Sequence, residues 1–473
     1  MDRRRFIRTT GLAATGLALD RSCLLAQRTR SADDRPNLLV IMTDQQFGDA
    51  MSCAIGRSHI HTPNMDSLAA HGMRFTRAYT ANPLCVPART SMFTGRYPHE
   101  TGIQVNTKEK IDPGEFPCMG RILKTTGYDT GFFGKWHMPF VVSRQEQHGF
   151  DTYVGRPGLY SGEPAAEFIR KERNGPFLAV VSLMNPHNIC EWSRGQRLPG
   201  GSVGEPPAPE DCPPLKANMD PAAGETDIIA HMRQGYHAHR LFPVGDFTTD
   251  KWRQYLWAYY RLVEKVDQKV GTVLDALRDT GQEENTVVIF LSDHGECHGT
   301  HRWNQKTVFY EESARVPLIV SQKGTTATGT SDALVQTGVD LIPTLCEFAG
   351  IPVPQALPGR SLRSHALGRT DGPWRPYAVV SNRMVQCEPV DGVLLRPDGR
   401  MVRSDRFKYC LYSLGRRRES LVDMETDPGE MTNLADRAEF RDVLCRHRDH
   451  LREFAQRHHD RTALAMLEDL PDA

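Results

Sequence analysis

The chain has 473 residues, 39% of them hydrophobic and 25% charged, enough for a large core and a smaller appendage. Lys plus Arg and Asp plus Glu balance at 58 each, which excludes a bulk charge suited to nucleic acid or an anionic membrane and makes any basic chemistry local. The eleven cysteines are dispersed and form no CxxC pair, against a zinc ribbon or a thioredoxin-type site.

Residues 1–31 read as an address. Arg3-Arg4 followed by Phe6-Ile7-Arg8 and a weakly apolar stretch from Gly11 to Leu19 resembles a bacterial twin-arginine export signal, and the apolar run is too short for a bilayer anchor. Asp20 stands where lipidation of Cys23 would need an aliphatic residue. The expectation is a soluble exported enzyme, periplasmic or extracellular, cleaved between about residues 22 and 31.

After the polar link "QRTRSADDRP", the run "NLLVIM" ends in Thr43-Asp44-Gln45 and reads as a strand buried on both faces. "PFLAVVSLMNPHN" repeats the pattern and sets His187 at a strand end. Trp252, Leu256, Tyr259, Val263, Val266, Val270, Val273 and Leu277 recur at three- and four-residue spacing, which predicts a long amphipathic helix closed by Gly281. It feeds "TVVIFL", again followed by polar residues, Ser292-Asp293-His294-Gly295. Ligand-type residues at strand C-termini are the geometry of open α/β sheets. Between Cys190 and Thr248 the Pro- and Gly-rich composition predicts an irregular surface excursion. Past residues 367–376, "YAVVSN", "GVLLRP" and "FKYCLYSL" read as antiparallel strands and "AEFRDVLCRHRDHLREFAQRHH" as a terminal helix. The division expected is a catalytic domain over 36–370 and a small C-terminal domain over 376–465.

One stretch stands apart: "NPLCVPARTSMFTGRYPHETG", where Cys85 sits among short polar turns instead of in an apolar run. Cys85, Pro87, Arg89 and Thr94-Gly95-Arg96 resemble the signature of the sulfatase family, in which the cysteine of C-x-P-x-R is oxidised to formylglycine. The resemblance continues in order through "GYDTGFFGKWHM", "MNPHN", "SDHGECHGTHRWNQK", "VDLIPTLCEFAGI" and "LVDMETDPGEMTNLA", from about Pro36 to Leu434. It implies an α/β fold of the alkaline phosphatase kind, a large and mostly parallel mixed sheet flanked by helices, with an antiparallel sheet and a helix in the C-terminal domain.

The implied chemistry is hydrolysis of sulfate esters, on sulfated carbohydrates given the export signal. A bare thiolate would form an S-sulfonate that water resolves poorly. In the family the aldehyde hydrates to a diol; one hydroxyl attacks sulfur and expels the alcohol, and the other loses its proton as sulfate is eliminated. A maturation enzyme must install the aldehyde. The resemblance assigns a divalent cation to Asp44, Gln45, Asp293, His294 and residue 85, with Ca²⁺ favoured by the oxygens and Mn²⁺ admitted by the imidazole. It assigns Lys135 and His137 to sulfate binding and proton transfer, His187 and Lys306 to the leaving-group side, and Arg89 to the modified residue. His301, Arg302 and Trp303, with Trp192, are candidates for the substrate entrance. Gln45 and His294, where many sulfatases carry aspartate and asparagine, keep a phosphonate monoester or phosphodiester hydrolase in view; a non-catalytic sulfated-glycan binder is the third reading. The oligomeric state is not addressed by any motif.

Overall fold

The computed structural model describes residues 35–369, 372–385 and 387–470; the export-signal reading of residues 1–31, Cys23 included, lies outside them. Fourteen strands are assigned among the described residues. In chain order they are β1 Asn37–Asp44, β2 Gly72–Phe75, β3 Ala78–Tyr79, β4 Asp129–Gly134, β5 Thr152–Val154, β6 Phe177–Pro186, β7 Thr286–Ser292, β8 Leu318–Ser321, β9 Gly329–Ser331, β10 Val335–Gln336, β11 Tyr377–Arg383, β12 Asp398–Ser404, β13 Phe407–Tyr412 and β14 Glu419–Asp423. The main sheet runs β5-β4-β6-β1-β7-β8-β2-β9. Its centre is parallel, with β1 between β6 and β7, while β8 runs antiparallel to both β7 and β2.

All eight residues of β1 and all seven of β7 are buried, which explains their unbroken apolar character: helices cover both faces. One cover is the helix Thr249–Asp279, capped by the Thr248 hydroxyl, which accepts from the Lys251 amide at 3.2 Å. Each apolar residue of its predicted stripe is buried, a gain of about 1.5–3 kcal/mol per large side chain. The other face is covered in part by Cys85–Thr94 and Thr337–Ala349.

Register fixes the functional edge. Thr43 pairs with Ser292 and Asp44 with Pro186, so β1, β6 and β7 finish level with one another. Asp44, His187 and Asp293 therefore emerge together, although almost 250 residues separate the first from the last.

The second sheet, β11-β12-β13-β14, is antiparallel throughout and carries the helices Arg441–Arg457 and Arg461–Glu468. Here the structure corrects three expectations. "GVLLRP" is not a strand: Val393 and Leu394 are exposed and the strand begins only at Asp398, directly after Pro397, which has no N–H for a ladder. β14 and the second helix were not anticipated. The excursion after Cys190 is largely irregular to Thr226, but Asp227–Ala238 is a helix whose Ile228, Ile229, Met232 and Tyr236 are buried.

The second sheet shares a core with β3 and the 303–309 loop, in which Tyr79, Trp303 and Phe309 meet Val380, Met401 and Cys410. Lys408 of β13 reaches into it, donating to Phe309 O at 2.8 Å and Glu430 Oε1 at 2.7 Å. All ten described cysteines are free thiols. No described helix is long and apolar enough to cross a membrane.

Candidate active site

Cys85 is the first residue of the helix Cys85–Thr94, entered from an extended Leu84 (φ −151°) and closed by Gly95 in the left-handed region at φ 68°. Pro87 lies in the first turn, where a missing N–H leaves no bond unmade. Every residue of this helix is buried, and Cys85 itself is 1% exposed. Its thiol thus sits beneath the rim of the sheet, at the positive end of a helix.

One turn further on, Arg89 is wholly buried. Its Nε donates to Asp293 Oδ2 at 2.8 Å, Nη2 to Asp44 Oδ2 at 2.9 Å, and Nη1 to Lys135 O and Ser182 Oγ, both at 2.8 Å. The guanidinium is thus committed to the strand-end carboxylates and to the β4–β6 edge.

Lys135 and His137 follow β4. Gly134 (φ 111°) makes the exit possible, since a Cβ there would lie 2.0 Å from Ser182 O. Lys135 Nζ pairs with Asp44 Oδ2 at 2.5 Å, and His137, at φ 47°, stands near enough to Cys85 to favour its ionised form. His187 follows the end of β6, beside Cys85, and its buried Nδ1 has no hydrogen-bond partner. Lys306 Nζ lies 3.2 Å from Cys85 Sγ and donates to Gln45 Oε1 at 2.6 Å. Positive φ at Gln45, His137, Gln305 and Thr307 concentrates backbone strain around this one point.

Asp44, Cys85, Asp293 and His294 bring one ligand atom each to within 4.8 Å of one another, and all four are buried. His294 Nε2 is 3.1 Å from Cys85 Sγ, while Nδ1 must carry a proton because its partner at 3.0 Å is the Gly295 carbonyl. Asp44 Oδ1 has no hydrogen-bond partner, a costly state for a buried carboxylate oxygen unless a cation faces it. A divalent cation fits this donor set: two carboxylates, one imidazole nitrogen and residue 85. Gln45 turns its amide oxygen to Lys306, on the same side as residue 85.

Charge in the cluster is strongly polarised. Burial would raise the pKa of Asp44, but Lys135, His187 and Arg89 outweigh it and hold the carboxyl well below its usual range. Burial likewise opposes ionisation of Cys85, yet Lys135, Lys306 and His294 push the thiol far down. His187 is lowered by burial, Lys306 and Lys135. Lys306 is raised against its own desolvation by Cys85 and Asp44. The site is built to receive negative charge.

The four entrance candidates separate. His301 is buried and stacks on Tyr310 at 3.8 Å, and Trp303 is wholly buried against Tyr236 at 5.0 Å; neither lines an entrance. Only Arg302 stays at the surface, paired with Asp220 at 2.7 Å. The cause is local: positive φ at His298, Gly299, His301 and Arg302 coils the segment and turns its rings inward. Trp192 is half-buried and lines an open cleft of about 870 Å³ with Arg197, Lys251 and Gln254. Lys251 Nζ lies 4.5 Å above its ring.

Several supporting residues escaped the sequence. Ser182 holds Arg89, the Asn106 side chain accepts the Val86 amide at 3.0 Å, and Asn382 of β11 donates to Thr307 O at 2.6 Å. Glu296, two residues beyond His294, accepts from Gln45 Nε2 at 2.6 Å. An acid in "DHGEC" was a visible signal, since a charge among small residues beside a ligand pair needs a reason to be there.

Fold and site together define an ester hydrolase with an anion-receiving centre at the carboxyl edge of an α/β sheet. The sulfatase family model matches residues 36–351, and an N-sulphoglucosamine sulphohydrolase C-terminal model matches residues 299–457. The chain belongs to the sulfatase family and is a sulfuric ester hydrolase. It is 30% identical over 457 residues to a Δ4,5-hexuronate-2-O-sulfatase of Bacteroides thetaiotaomicron, covering 91% of this chain and 90% of that one. An N-acetylglucosamine-6-O-sulfatase of the same organism is 28% identical, covering 91% and 87%. The structure of a 2-O GAG sulfatase superposes with a TM-score of 0.75 at 27% identity, over 90% of this chain and 93% of its own.

Proposed function

We propose that this enzyme removes sulfate from carbohydrate esters, with residue 85 working as formylglycine beside a divalent cation held by Asp44, Asp293, His294 and residue 85. The observation that carries this is the convergence of two lysines, two histidines and the Asp44–Asp293–His294 set on the one sulfur of Cys85. The names of the two relatives, one a hexuronate and one a hexosamine sulfatase, support the carbohydrate.

When present, the cation and the aldehyde hydrate supply, respectively, positive charge on the sulfate oxygens and a hydroxyl nucleophile. The chain's residues do the rest. Lys135 and Lys306 flank residue 85 and stabilise charge on the transferring group. His137, beside residue 85, accepts the proton of the second hydroxyl as sulfate is eliminated. His187 and Lys306 face the departing alcohol, and Lys306, held protonated, donates to its oxygen. Arg89 keeps Asp44 and Asp293 in place. Gln45 Oε1 is a further oxygen for the cation, of which Ca²⁺ suits the carboxylates best and Mn²⁺ the imidazole. The twin-arginine pattern at Arg3-Arg4 supports export through the Tat machinery, and Cys85 in C-x-P-x-R supports conversion by a formylglycine-generating enzyme.

The test is release of inorganic sulfate from a panel of sulfated mono- and polysaccharides, with aryl phosphonate and phosphodiester esters run in parallel. Sulfate is expected from at least one sugar, none from Cys85→Ala, and the aldehyde in place of the thiol in a peptide spanning residue 85. Faster turnover of the phosphorus esters would transfer the reading to a phosphonate or phosphodiester hydrolase. A permanent thiol with tight glycan binding would leave only a binding protein. Chelation of the cation should abolish turnover, and Ca²⁺ or Mn²⁺ should restore it.

A further inference from the structure

Glu296 lies beneath the site and touches none of the reacting groups. Its side chain is wholly buried, as are those of Gln45 and Tyr255. Oε1 accepts from Tyr255 OH at 2.9 Å, from the His298 amide at 2.9 Å and from the Gln305 amide at 2.7 Å. Oε2 accepts from Gln45 Nε2 at 2.6 Å. Every partner is a donor, so the carboxylate is used purely as an acceptor.

A primary amide has two faces of opposite polarity that differ little in shape. Nothing steric tells Gln45 which way to turn. The second contact of its nitrogen is the Cys190 sulfur at 3.4 Å, a weak partner. On the other side lie the Lys306 ammonium and, beyond it, residue 85, both of which call for an oxygen.

We propose that Glu296 is a positioning residue that locks the Gln45 amide with its oxygen toward Lys306 and residue 85, and at the same time anchors the 298–305 coil from which Lys306 projects. The first effect follows from Oε2 and Gln45 Nε2; the second from Oε1 and the Gln305 amide, adjacent in sequence to Lys306. One carboxylate thus sets both partners of the Lys306–Gln45 hydrogen bond. The proposal rests on the reading that residue 85 is the reacting centre, but not on the aldehyde.

Glu296→Gln separates this from general structural support. Its amide oxygen can still accept the three Oε1 bonds, but its nitrogen then confronts Gln45 Nε2, donor against donor. Gln45 is expected to flip and set its nitrogen against the Lys306 ammonium. The double variant Gln45→Glu/Glu296→Gln restores a donor facing an acceptor at the same net charge and again presents an oxygen to Lys306.

In the fully matured enzyme, kcat of Glu296→Gln should fall by roughly 10- to 100-fold, the scale of one buried charge-assisted hydrogen bond, with KM for a sulfate ester changed far less. The double variant should recover most of that loss. A second readout is the rise in melting temperature on adding Ca²⁺ or Mn²⁺, measured in a Cys85→Ala background. There the single variant should weaken the cation's effect and the double variant restore it, so this arm stands even if the formylglycine reading fails. Near-normal kcat in Glu296→Gln, or losses that simply multiply in the double variant, would overturn the proposal. Should Glu296→Gln not fold, the double variant decides: folded and active sustains the assignment, and unfolded or inactive sinks it.

Discussion

Arg89 shows how much a single residue can hold. It bridges Asp44 and Asp293, all three side chains being fully buried, and neither carboxylate is paired with another arginine. Lysine keeps the charge but cannot form the fork. Arg89→Lys is therefore expected to lose at least two of the four bonds and leave part of the carboxylate charge unbalanced. Breaking a buried pair of this kind costs about 3–5 kcal/mol, which should appear as a lower thermal midpoint together with loss of sulfate release. Unchanged melting would mean the arginine is dispensable to the fold. The residue's importance was legible in C-x-P-x-R, but its partners were not, because they lie 45 positions before it and 204 after it in the chain. The same limit applies to Gln45: the sequence marked it as a ligand-type residue, yet its neighbour Glu296 is 251 positions away. His301 and Trp303 misled for a different reason. Aromatic and imidazole side chains suit a sugar site and a core equally well, and only backbone φ, invisible in the sequence, sent them inward.

At the scale of elements, the helix bearing Cys85 owes its position to a close approach. Gly338, in the helix Thr337–Ala349, faces Ala81 and Ser91; an added Cβ would lie 2.6 Å from Ala81 Cβ and 2.9 Å from Ser91 Cβ. Gly338→Ala must push these segments apart. The displacement is carried directly to residue 85, and a shift approaching 1 Å can cost about 100-fold in rate. A marked fall in kcat is expected while metal-free secondary structure, read by circular dichroism, is retained; full activity would show that the packing can relax. Elements such as β1, β6, β7 and the long helix were legible because burial on two faces, or on one stripe, leaves a pattern in the order of residues. β14 was not, since Glu419–Asp423 is short and acidic at both ends and gains its place from β13. "GVLLRP" erred the opposite way: its apolar residues read as a buried strand, yet Val393 and Leu394 are exposed and the strand starts only after Pro397.

The whole molecule couples a charged site to an acid-sensitive interior. Burial is the leading cause that depresses His298 to about 3 and His301, His447 and His458 to about 4, from an ordinary value of 6.5. The unfolded chain binds more protons than the native one across that interval, so stability is fully present above pH 6.5 and is lost as pH falls toward 4. Glu430 acts in reverse: burial raises it to about 7, so its contribution is greatest below 4.5 and declines as pH rises through 7. The urea midpoint should drop between pH 6.5 and 4, more steeply in Glu430→Gln; a flat profile would contradict the histidine assignment. A second property of the whole chain is reach. Trp192 follows His187 by five residues, and Arg197 and Lys251 stand beside it in the open cleft. For an extended sulfated glycan, Arg197→Ala with Lys251→Ala should raise KM while leaving a small aryl sulfate untouched; equal effects on both would place the cleft outside the substrate path.

The concealment of Cys85 also orders events in time. Every residue of its helix is buried, and its cover includes β1, β7 and the helix Thr337–Ala349, so that cover is complete only once the chain has been synthesised past Ala349. Any catalyst that remodels this thiol must reach it during or soon after translation, before that cover closes. A polypeptide that collapses first keeps its sulfur for good. If residue 85 works as formylglycine, as proposed, the yield of working enzyme is a race between folding and a second protein, decided before a substrate is ever met.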